Sequence, residues 1–212
     1  MNKPLPIEHN YGIVVLAAGS STRLGTPKQL VVFQGYTLIR MAVDISLGVT
    51  NKLVVVIGAQ AEKVHEELQG LPLIIARNKN FEEGIASSIR LGLNTLIENF
   101  ATVKAVIFIV CDQPHLSSHL LTQLIQSAEQ TGNGIVACTY SDTVGIPVLF
   151  RENYFNEILT LTGDMGAKKI IYDHMADVVT IDFPAGNIDI DTPEDLNAVM
   201  GDNNSAVNNS LF

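Results

Sequence analysis

The sequence has few of the features that would tie it to a disulfide framework, a membrane or a nucleic acid. It contains two cysteines, Cys111 and Cys138, no tryptophan, and 13 lysine and arginine residues against 22 aspartate and glutamate residues. Two cysteines without an export signal do not predict a disulfide-stapled domain. No apolar run approaches the roughly 18 residues of a membrane-spanning helix. The formal net charge of -9 argues against broad nucleic-acid binding, because a basic face supplies most of that affinity.

The start and end of the chain are polar. The first ten residues, MNKPLPIEHN, lack the apolar core of a secretory signal, so we expect a cytoplasmic protein. Between the ends, 47% of the 212 residues are hydrophobic, enough for one sizeable core. We therefore predict a single domain over residues 1–200, followed by a mobile polar tail over residues 201–212.

Apolar, β-branched runs alternate with helical patterns along the chain, which predicts βαβ units and an α/β fold with a mostly parallel sheet. The predicted strands are Tyr11–Ala18, Lys52–Gly58, Leu71–Ala76, Lys104–Cys111, Gly134–Thr139, Ile146–Phe150 and Val178–Phe183. The predicted helices are Leu38–Leu47, Ala61–Gln69, Glu83–Asn99, Ser118–Gln130, Glu152–Leu161 and Ala167–Met175.

The stretch VVLAAGSSTRLGTPKQL, residues 14–30, passes from a buried strand into a small, polar loop with two positive charges. Gly19 and Gly25 allow a ligand to approach the backbone closely, and Ser20 and its neighbours add hydroxyl groups. Arg23 can grip phosphate oxygens as a planar fork, while Lys28 supplies a mobile point charge. The loop matches neither the Walker A nor the dinucleotide pattern. It predicts a polyphosphate site, with an ordinary solvated turn as the alternative.

The loop resembles L-A-A-G-x-S-x-R-x-G-x-x-K, a motif of the nucleotidyltransferases that process molybdenum cofactor. The matching positions are Leu16, Ala17, Ala18, Gly19, Ser21, Arg23, Gly25 and Lys28. Four further motifs follow in the order of that family: CDQPHL from residue 111, GIPVLF from 145, TGDMGAKKII from 162 and DIDTPEDL from 189. The chain is most similar to the MocA-like cytidylyltransferase branch. This resemblance implies a Rossmann-like sheet of the glycosyltransferase-A type, with the nucleotide over its N-terminal half.

Carboxylates at two places suggest a metal site. Asp112 follows the run AVIFIVC and should emerge at the carboxyl edge of a central strand, where it could hold Mg²⁺. The alternative is that Asp112 caps the next helix, for which Ser117 is better placed. Asp189 and Asp191 share one face if their segment is extended, and a cation would relieve their repulsion. The resemblance makes this segment the second metal-contacting element, with Asp191 favoured over Asp189.

The resemblance also assigns binding residues to the two substrates. For the nucleotide they are Leu16, Ala17, Ala18, Gly19, Ser20, Ser21, Arg23, Lys28 and Ser88. For the acceptor they are Gln113, Gly145, Pro147, Gly163, Asp164 and Lys168. Two alternatives stay open: that Ser88 is only a small helix-packing residue, and that residues 162–171 form only a turn. Lys168 stands where many relatives carry arginine, which puts a bidentate phosphate contact in doubt.

Together these features predict a Mg²⁺-dependent enzyme that transfers CMP from CTP to the phosphate of molybdenum cofactor, a molybdopterin, and releases pyrophosphate. Arg23, Lys28 and Asp112 are the expected catalytic residues, and a molybdenum hydroxylase would receive the product. The methyl group of Ala18 narrows the space beside the base and favours a pyrimidine. Three alternatives remain: a guanylyltransferase that uses GTP, a cytidylyltransferase for another phosphorylated alcohol, and a non-catalytic nucleotide-binding accessory protein.

Overall fold

The structure is a computed structural model that describes residues 10–20, 27–190 and 195. Its strands are β1 (Tyr11–Ala17), β2 (Val32–Phe33), β3 (Tyr36–Thr37), β4 (Leu53–Ile57), β5 (Ile74–Arg77), β6 (Ala105–Val110), β7 (Ile135–Tyr140), β8 (Thr143–Arg151) and β9 (Val178–Asp182). Its α-helices are α1 (Leu38–Leu47), α2 (Ala61–Glu67), α3 (Ile85–Asn99), α4 (Ser118–Thr131), α5 (Phe155–Ile158) and α6 (Ala167–Asp173). No helix within the described ranges is long and apolar enough to cross a membrane.

Seven strands form one sheet in the order β5-β4-β1-β6-β8-β7-β9. β5, β4, β1 and β6 run parallel to one another, with Val14 of β1 opposite Val54 on one side and Phe108 on the other. β8 is antiparallel to both of its neighbours, and β9 lies parallel to β7. The expected mostly parallel sheet is thus confirmed, with β8 as the one reversed strand in this sheet.

Both sides of β1 are apolar, and both are buried because helices cover both faces of the sheet. Ile13 and Val15 of β1 belong to the apolar cluster on the face covered by α1, α2 and α4. Val14 and Leu16, which point the other way, belong to the cluster shared with α3 and α6. A side chain on Gly92 of α3 would lie 2.4 Å from Val14, so glycine allows the helix to pack directly on β1.

Four parts of the predicted secondary structure need correction. The strand expected at Ile146–Phe150 extends over Thr143–Arg151, because the residues before Ile146 pair with β7. The strand expected at Leu71–Ala76 begins at Ile74, because Pro72 cannot donate to a ladder. The helix expected at Glu152–Leu161 is a 3-10 turn followed by the four-residue α5. There, Tyr154 is held by its hydroxyl bond to Asp177 at 2.7 Å, a tertiary contact. The short β2–β3 hairpin was not expected, since its strands are only two residues long.

Candidate active site

The candidate site lies where β4, β1, β5 and β6 end, at the carboxyl edge of the parallel strands. Ala18, Gly19 and Ser20 follow β1 there. The main chain of Ala18 accepts a hydrogen bond from Ala59, just after β4, at 3.1 Å. Residues 21–26, which include the predicted Ser21 and Arg23, lie outside the described residues. Open parallel sheets bind ligands at this edge, so the loop after β1 occupies the expected position.

The chain returns from the loop at a short 3-10 turn, Lys28–Leu30, which Gln29 anchors. The Gln29 side chain is 1% exposed, and its amide group donates to the carbonyl oxygens of Ala17 at 3.0 Å and Gly19 at 2.8 Å. Ala17 and Gly19 lie where the loop begins, and Gln29 lies where it ends. Their two hydrogen bonds therefore hold the two ends of the loop together. Gln29 therefore places the neighbouring Lys28 at the sheet edge.

The predicted catalytic pair comes together, although 84 residues separate its members. The Nζ of Lys28 donates to the Oδ2 of Asp112 in an ion pair. Asp112 is 8% exposed, and its Oδ1 has no hydrogen-bond partner among the described residues. Ser117, not Asp112, caps α4, by accepting from the Leu120 backbone at 3.2 Å. Asp112 is thus free of the structural role that we considered for it.

Two cavities meet at Asp112, the acidic member of this pair. The first, with a volume of about 580 Å³, is lined by Leu16, Ala18, Gly19, Ser20, Lys28, Phe81, Glu82, Gly84, Ile85, Ser88, Val110, Asp112 and Asp164. The second, of about 380 Å³, is lined by Ile85, Val110, Asp112, Gln113, Tyr140, Ile146, Asp164, Gly166, Ala167, Lys168 and Asp189. Asp112 and Asp164 are the polar residues that line both. A group bound in one cavity can therefore reach a group bound in the other beside Asp112.

At the far side of the first cavity, the start of α3 carries a buried hydrogen-bond network. The side-chain nitrogen of Asn78 donates to the hydroxyl groups of Ser87 at 2.8 Å and Ser88 at 2.9 Å. The Asn78 side-chain oxygen accepts from the backbone of Asn80 at 2.8 Å. Ser88 lines the cavity and is also 5% exposed within α3, so a binding role and a packing role of this residue are compatible.

Asp164 reaches both cavities because its loop rests on the start of α3. The Ala86 backbone donates to the Gly163 carbonyl oxygen at 3.1 Å. Gly84 has a φ of +114°, and a side chain there would lie 2.4 Å from the same oxygen. Glycine at position 84 therefore permits this close contact.

The second cavity depends on segments that are far apart in the sequence. The Gln113 amide donates to the carbonyl oxygens of Gly186 at 2.9 Å and Ile146 at 3.3 Å, which leaves its buried oxygen without a described partner. Burial raises the pKa of Tyr140 to about 12, with the Asp189 carboxylate as the next contribution. The Tyr140 hydroxyl group therefore stays protonated and can donate a hydrogen bond at neutral pH.

The second predicted metal element lies beside the first. The Ile190 backbone donates to the carbonyl oxygen of Asp112 at 3.1 Å, and this contact holds Asp189 at the second cavity. Asp191 falls outside the described residues. Within the described ranges no cluster of three histidine, cysteine or acidic side chains is present. Asp112 and Asp189 can therefore offer carboxylate ligands that substrate phosphates and water would complete.

Several predicted residues lie near the site without lining either of these two cavities. Ala17 packs into the apolar cluster on the α1 side, and only its carbonyl group meets Gln29. Gly145 packs against Tyr140 and Lys168, since a side chain there would lie 2.5 Å from the Tyr140 hydroxyl group. Pro147 follows the lining residue Ile146 through a cis peptide bond. Gly163 contributes its carbonyl oxygen, as described above.

Both thiols are structural. Cys111 and Cys138 are 3% and 0% exposed, and both are free. Burial raises the pKa of the Cys138 thiol to about 12, and burial followed by the nearby Asp112 carboxylate raises the pKa of Cys111 further. A thiol that is both inaccessible and protonated is a poor nucleophile. This agrees with the packing role that we inferred for Cys111.

Sequence reasoning missed Gln29, Asn78 and Tyr140. Asn78 directly follows β5, so the rule that ligands bind at the carboxyl ends of parallel strands could have identified it. Gln29 follows a lysine that we had singled out, but its two carbonyl partners are not encoded in any motif. Tyr140 reaches the second cavity only because β7 and β8 form a hairpin beside β6.

Comparisons with known proteins agree with this geometry. The sequence profile of the MobA-like NTP transferase domain matches residues 13–178. Nicotine blue oxidoreductase from Paenarthrobacter nicotinovorans is 26% identical over 196 residues, which cover 86% of this chain and 93% of that protein. A probable molybdenum cofactor guanylyltransferase from Bacillus cytotoxicus is 29% identical over 123 residues, 58% of this chain and 59% of that protein.

Among solved structures, Rv0371c from Mycobacterium tuberculosis H37Rv is 26% identical, with a TM-score of 0.78 over 90% of this chain and 97% of that one. A structure of Rv0371c in complex with manganese superposes with a TM-score of 0.69 and 24% identity, covering 90% and 98% of the two chains. The fold therefore has a counterpart over nearly the whole length of a known protein.

Proposed function

Because the chain belongs to the MobA-like NTP transferase family and is a nucleotidyltransferase, we propose that it transfers CMP from CTP to the phosphate of molybdenum cofactor. The observation that carries this proposal is that Asp112 lies at the junction of two cavities and is paired there with Lys28, which lines the first. A transferase needs one cavity for the donor, one for the acceptor, and charged groups where they meet. Residues 1–200 would form the catalytic domain.

The first cavity suits the nucleoside triphosphate. Gly19 and Ser20 offer backbone and hydroxyl groups at its edge, and Lys28 contributes a positive charge beside Asp112. Arg23, outside the described residues, would add a second positive charge from the same loop. These cations would neutralise the charge that builds on the α-phosphate and on the leaving group.

A divalent cation fits the carboxylates that are present. Asp112 has a buried oxygen without a described partner, and Asp189 lies across the same cavity. Asp112 and Asp189, with Asp191 as the further candidate, would hold Mg²⁺. Bound there, Mg²⁺ would neutralise the triphosphate and polarise the α-phosphorus. The manganese complex of Rv0371c supports a divalent-cation requirement in this family.

The reaction needs no covalent enzyme intermediate. An oxygen of the acceptor phosphate, already anionic, attacks the α-phosphorus of CTP in line. A new P–O bond forms to the acceptor, and the bond to the bridging oxygen breaks, so that pyrophosphate leaves with the electron pair. The residues of the chain position the two phosphates and stabilise charge. Lys168 and the protonated Tyr140, in the second cavity, would orient the acceptor.

The preference for CTP rests on the shape of the first cavity. The Ala18 side chain lines it and is 5% exposed. It packs against Gly58, where a side chain would lie 2.8 Å from the Ala18 methyl group, so Ala18 cannot retreat from the cavity. A methyl group held in this position favours a small base. The named guanylyltransferase relative makes GTP the competing donor, which the experiment must include.

The test is a thermal-melting and turnover series with CTP, GTP, ATP and UTP, each with and without Mg²⁺. A nucleotide at 100 times its Kd should stabilise the protein by about 2.7 kcal/mol, or roughly 5–11 °C at this size. We expect a Mg²⁺-dependent shift with CTP and pyrophosphate release once molybdenum cofactor is added. A molybdenum hydroxylase supplied with the product should then gain activity.

Each other outcome identifies a specific error. A shift with GTP alone would make the protein a guanylyltransferase. CTP binding without turnover on molybdenum cofactor, but with turnover on another phosphorylated alcohol, would reassign the acceptor. Nucleotide binding without pyrophosphate release from any acceptor would favour an accessory role.

A further inference from the structure

The hydrogen-bond network at the start of α3 has a fixed polarity. A backbone N–H can only donate, so the Asn78 atom that meets the Asn80 backbone must be the side-chain oxygen. The other Asn78 atom is then the NH₂ group, whose two hydrogens go to Ser87 and Ser88. Both serine oxygens are therefore acceptors toward Asn78. Asn78 itself is 5% exposed and has no room to turn away.

The two serines differ in where their own hydrogens can go. The Ser87 hydroxyl group donates to the carbonyl oxygens of Gly84 at 2.8 Å and Asn80 at 3.0 Å. The Ser88 hydroxyl group accepts from Asn78 and donates no hydrogen bond within the described residues. Ser88 also lines the first cavity. Its hydrogen is thus available to a ligand there.

We propose that Asn78 is a positioning residue that makes Ser88 a hydrogen-bond donor to the nucleobase. This inference rests on the proposed function, in which the first cavity holds the nucleotide. The Asn80 backbone N–H fixes which way the Asn78 amide faces, and the Asn78 amide in turn makes the Ser88 oxygen its acceptor. The cavity therefore requires a hydrogen-bond acceptor, a ring nitrogen or a carbonyl oxygen, on the base edge that faces Ser88.

Asn78→Asp should reverse this polarity with little change in shape. One carboxylate oxygen of the substituted side chain can still accept from the Asn80 backbone. The other carries no hydrogen, so Ser88 must donate to it and turn a lone pair toward the cavity. The lone pair would then face the acceptor of the base. We expect Asn78→Asp to weaken nucleotide binding more than Ser88→Ala does.

The decisive test is the effect of Ser88→Ala in the two backgrounds, measured as the Kd for CTP with Mg²⁺ by calorimetry. In the wild-type background, loss of the donor should weaken binding about two- to tenfold. In the Asn78→Asp background, Ser88→Ala removes the opposing lone pair and should strengthen binding by a similar factor. If Asn78 had only a structural role, the losses of CTP affinity caused by Asn78→Asp and by Ser88→Ala would add up in the double variant. Ser46→Ala, a buried serine in α1, is the matched control and should leave Kd unchanged.

The outcomes separate this inference from the proposed function. If the wild-type protein binds no nucleotide, the proposed function fails first. If it binds CTP or GTP but Ser88→Ala weakens binding equally in both backgrounds, or in neither, the role of Asn78 is wrong.

Should Asn78→Asp not fold, Asn78→Ala replaces it. That variant leaves the Ser88 hydroxyl group unoriented, so the penalty of Ser88→Ala should fall below about twofold. An unchanged penalty would overturn the proposal.

Discussion

The two cavities are built in different ways, and the difference follows the sheet. The first lies over the parallel strands β5, β4, β1 and β6. Its lining comes from the ends of β1 and β6 with the residues after them, from two short 3-10 turns and from the start of α3, with Asp164 as the one contribution from a later loop. The second lies over the boundary with the reversed strand β8, and its lining comes from a hairpin, a loop and a late segment. The first is thus a property of a parallel edge, whereas the second depends on long-range assembly.

Under the proposed function, the first cavity neutralises charge and the second positions the acceptor. Lys28 is paired with a buried carboxylate. Lys168 is exposed, and its Nζ donates to the Thr143 hydroxyl group at 3.5 Å. A cation held beside the reacting phosphates should affect the rate of the chemical step. An exposed cation at the rim should mainly affect binding. Kinetic measurements can distinguish these roles.

The largest expected effect is that of Lys28→Ala. Removing one preorganised donor to a developing negative charge typically lowers kcat about 10²–10³-fold. Steady-state pyrophosphate release should show this loss while the melting temperature confirms folding. Lys63→Ala, on the exposed surface of α2, is the control and should keep wild-type kcat. Near-normal turnover of Lys28→Ala would show that the first cavity does not contribute to the chemical step.

Lys168→Ala should weaken binding of the acceptor and leave binding of the nucleotide unchanged. We expect the KM for molybdenum cofactor to rise about tenfold, as for the loss of one hydrogen bond to a charged group. The Kd for CTP should not change, because Lys168 lines only the second cavity. Lys169→Ala, whose partner is Asp173 on the same helix, is the matched control. A fall in CTP affinity would show that the two cavities are not separate.

Gln29→Leu should lower stability modestly. The carbonyl groups of Ala17 and Gly19 lose their donor, but the buried Gln29 oxygen without a described partner is removed as well. We expect a net cost of about 1 kcal/mol, or roughly 2–4 °C in Tm. Gln126→Leu, exposed on α4, should shift Tm by less. An unchanged Tm for Gln29→Leu would mean that the loop does not depend on this anchor.

The smallest expected effect concerns the thiols, one in each half of the sheet. At pH 8 an ordinary thiol is partly ionised, whereas Cys111 and Cys138 have raised pKa values and stay protonated. A thiol reagent should therefore give almost no signal with the native protein and two equivalents after denaturation. Rapid labelling of Cys138 alone would show that the half containing β7 opens more readily than the parallel half.

Much of the first cavity could be predicted from the sequence. The buried run of β1 and the small, charged loop after it indicate a strand edge that binds phosphate, and Lys28 and Asp112 do meet there. Asn78 and Gln29 escaped notice because a single polar residue beside a strand has many possible partners. The second cavity was harder to predict. Its lining residues are held in part by three predicted residues that do not line it themselves: Gly145, Pro147 and Gly163.

The sequence by itself determined the alternation of strands and helices, the burial of β1 on both faces and the polar loop at its carboxyl end. These are local properties, since periodicity and turn chemistry act over a few residues. Only the tertiary structure decided that β8 is reversed, that Asp164 reaches both cavities and that Asn78 orients Ser88. The first two join segments distant in the chain, and the Asn78–Ser88 bond joins a strand end to a helix start ten residues on. The geometry of all three depends on how the whole sheet and its helices pack.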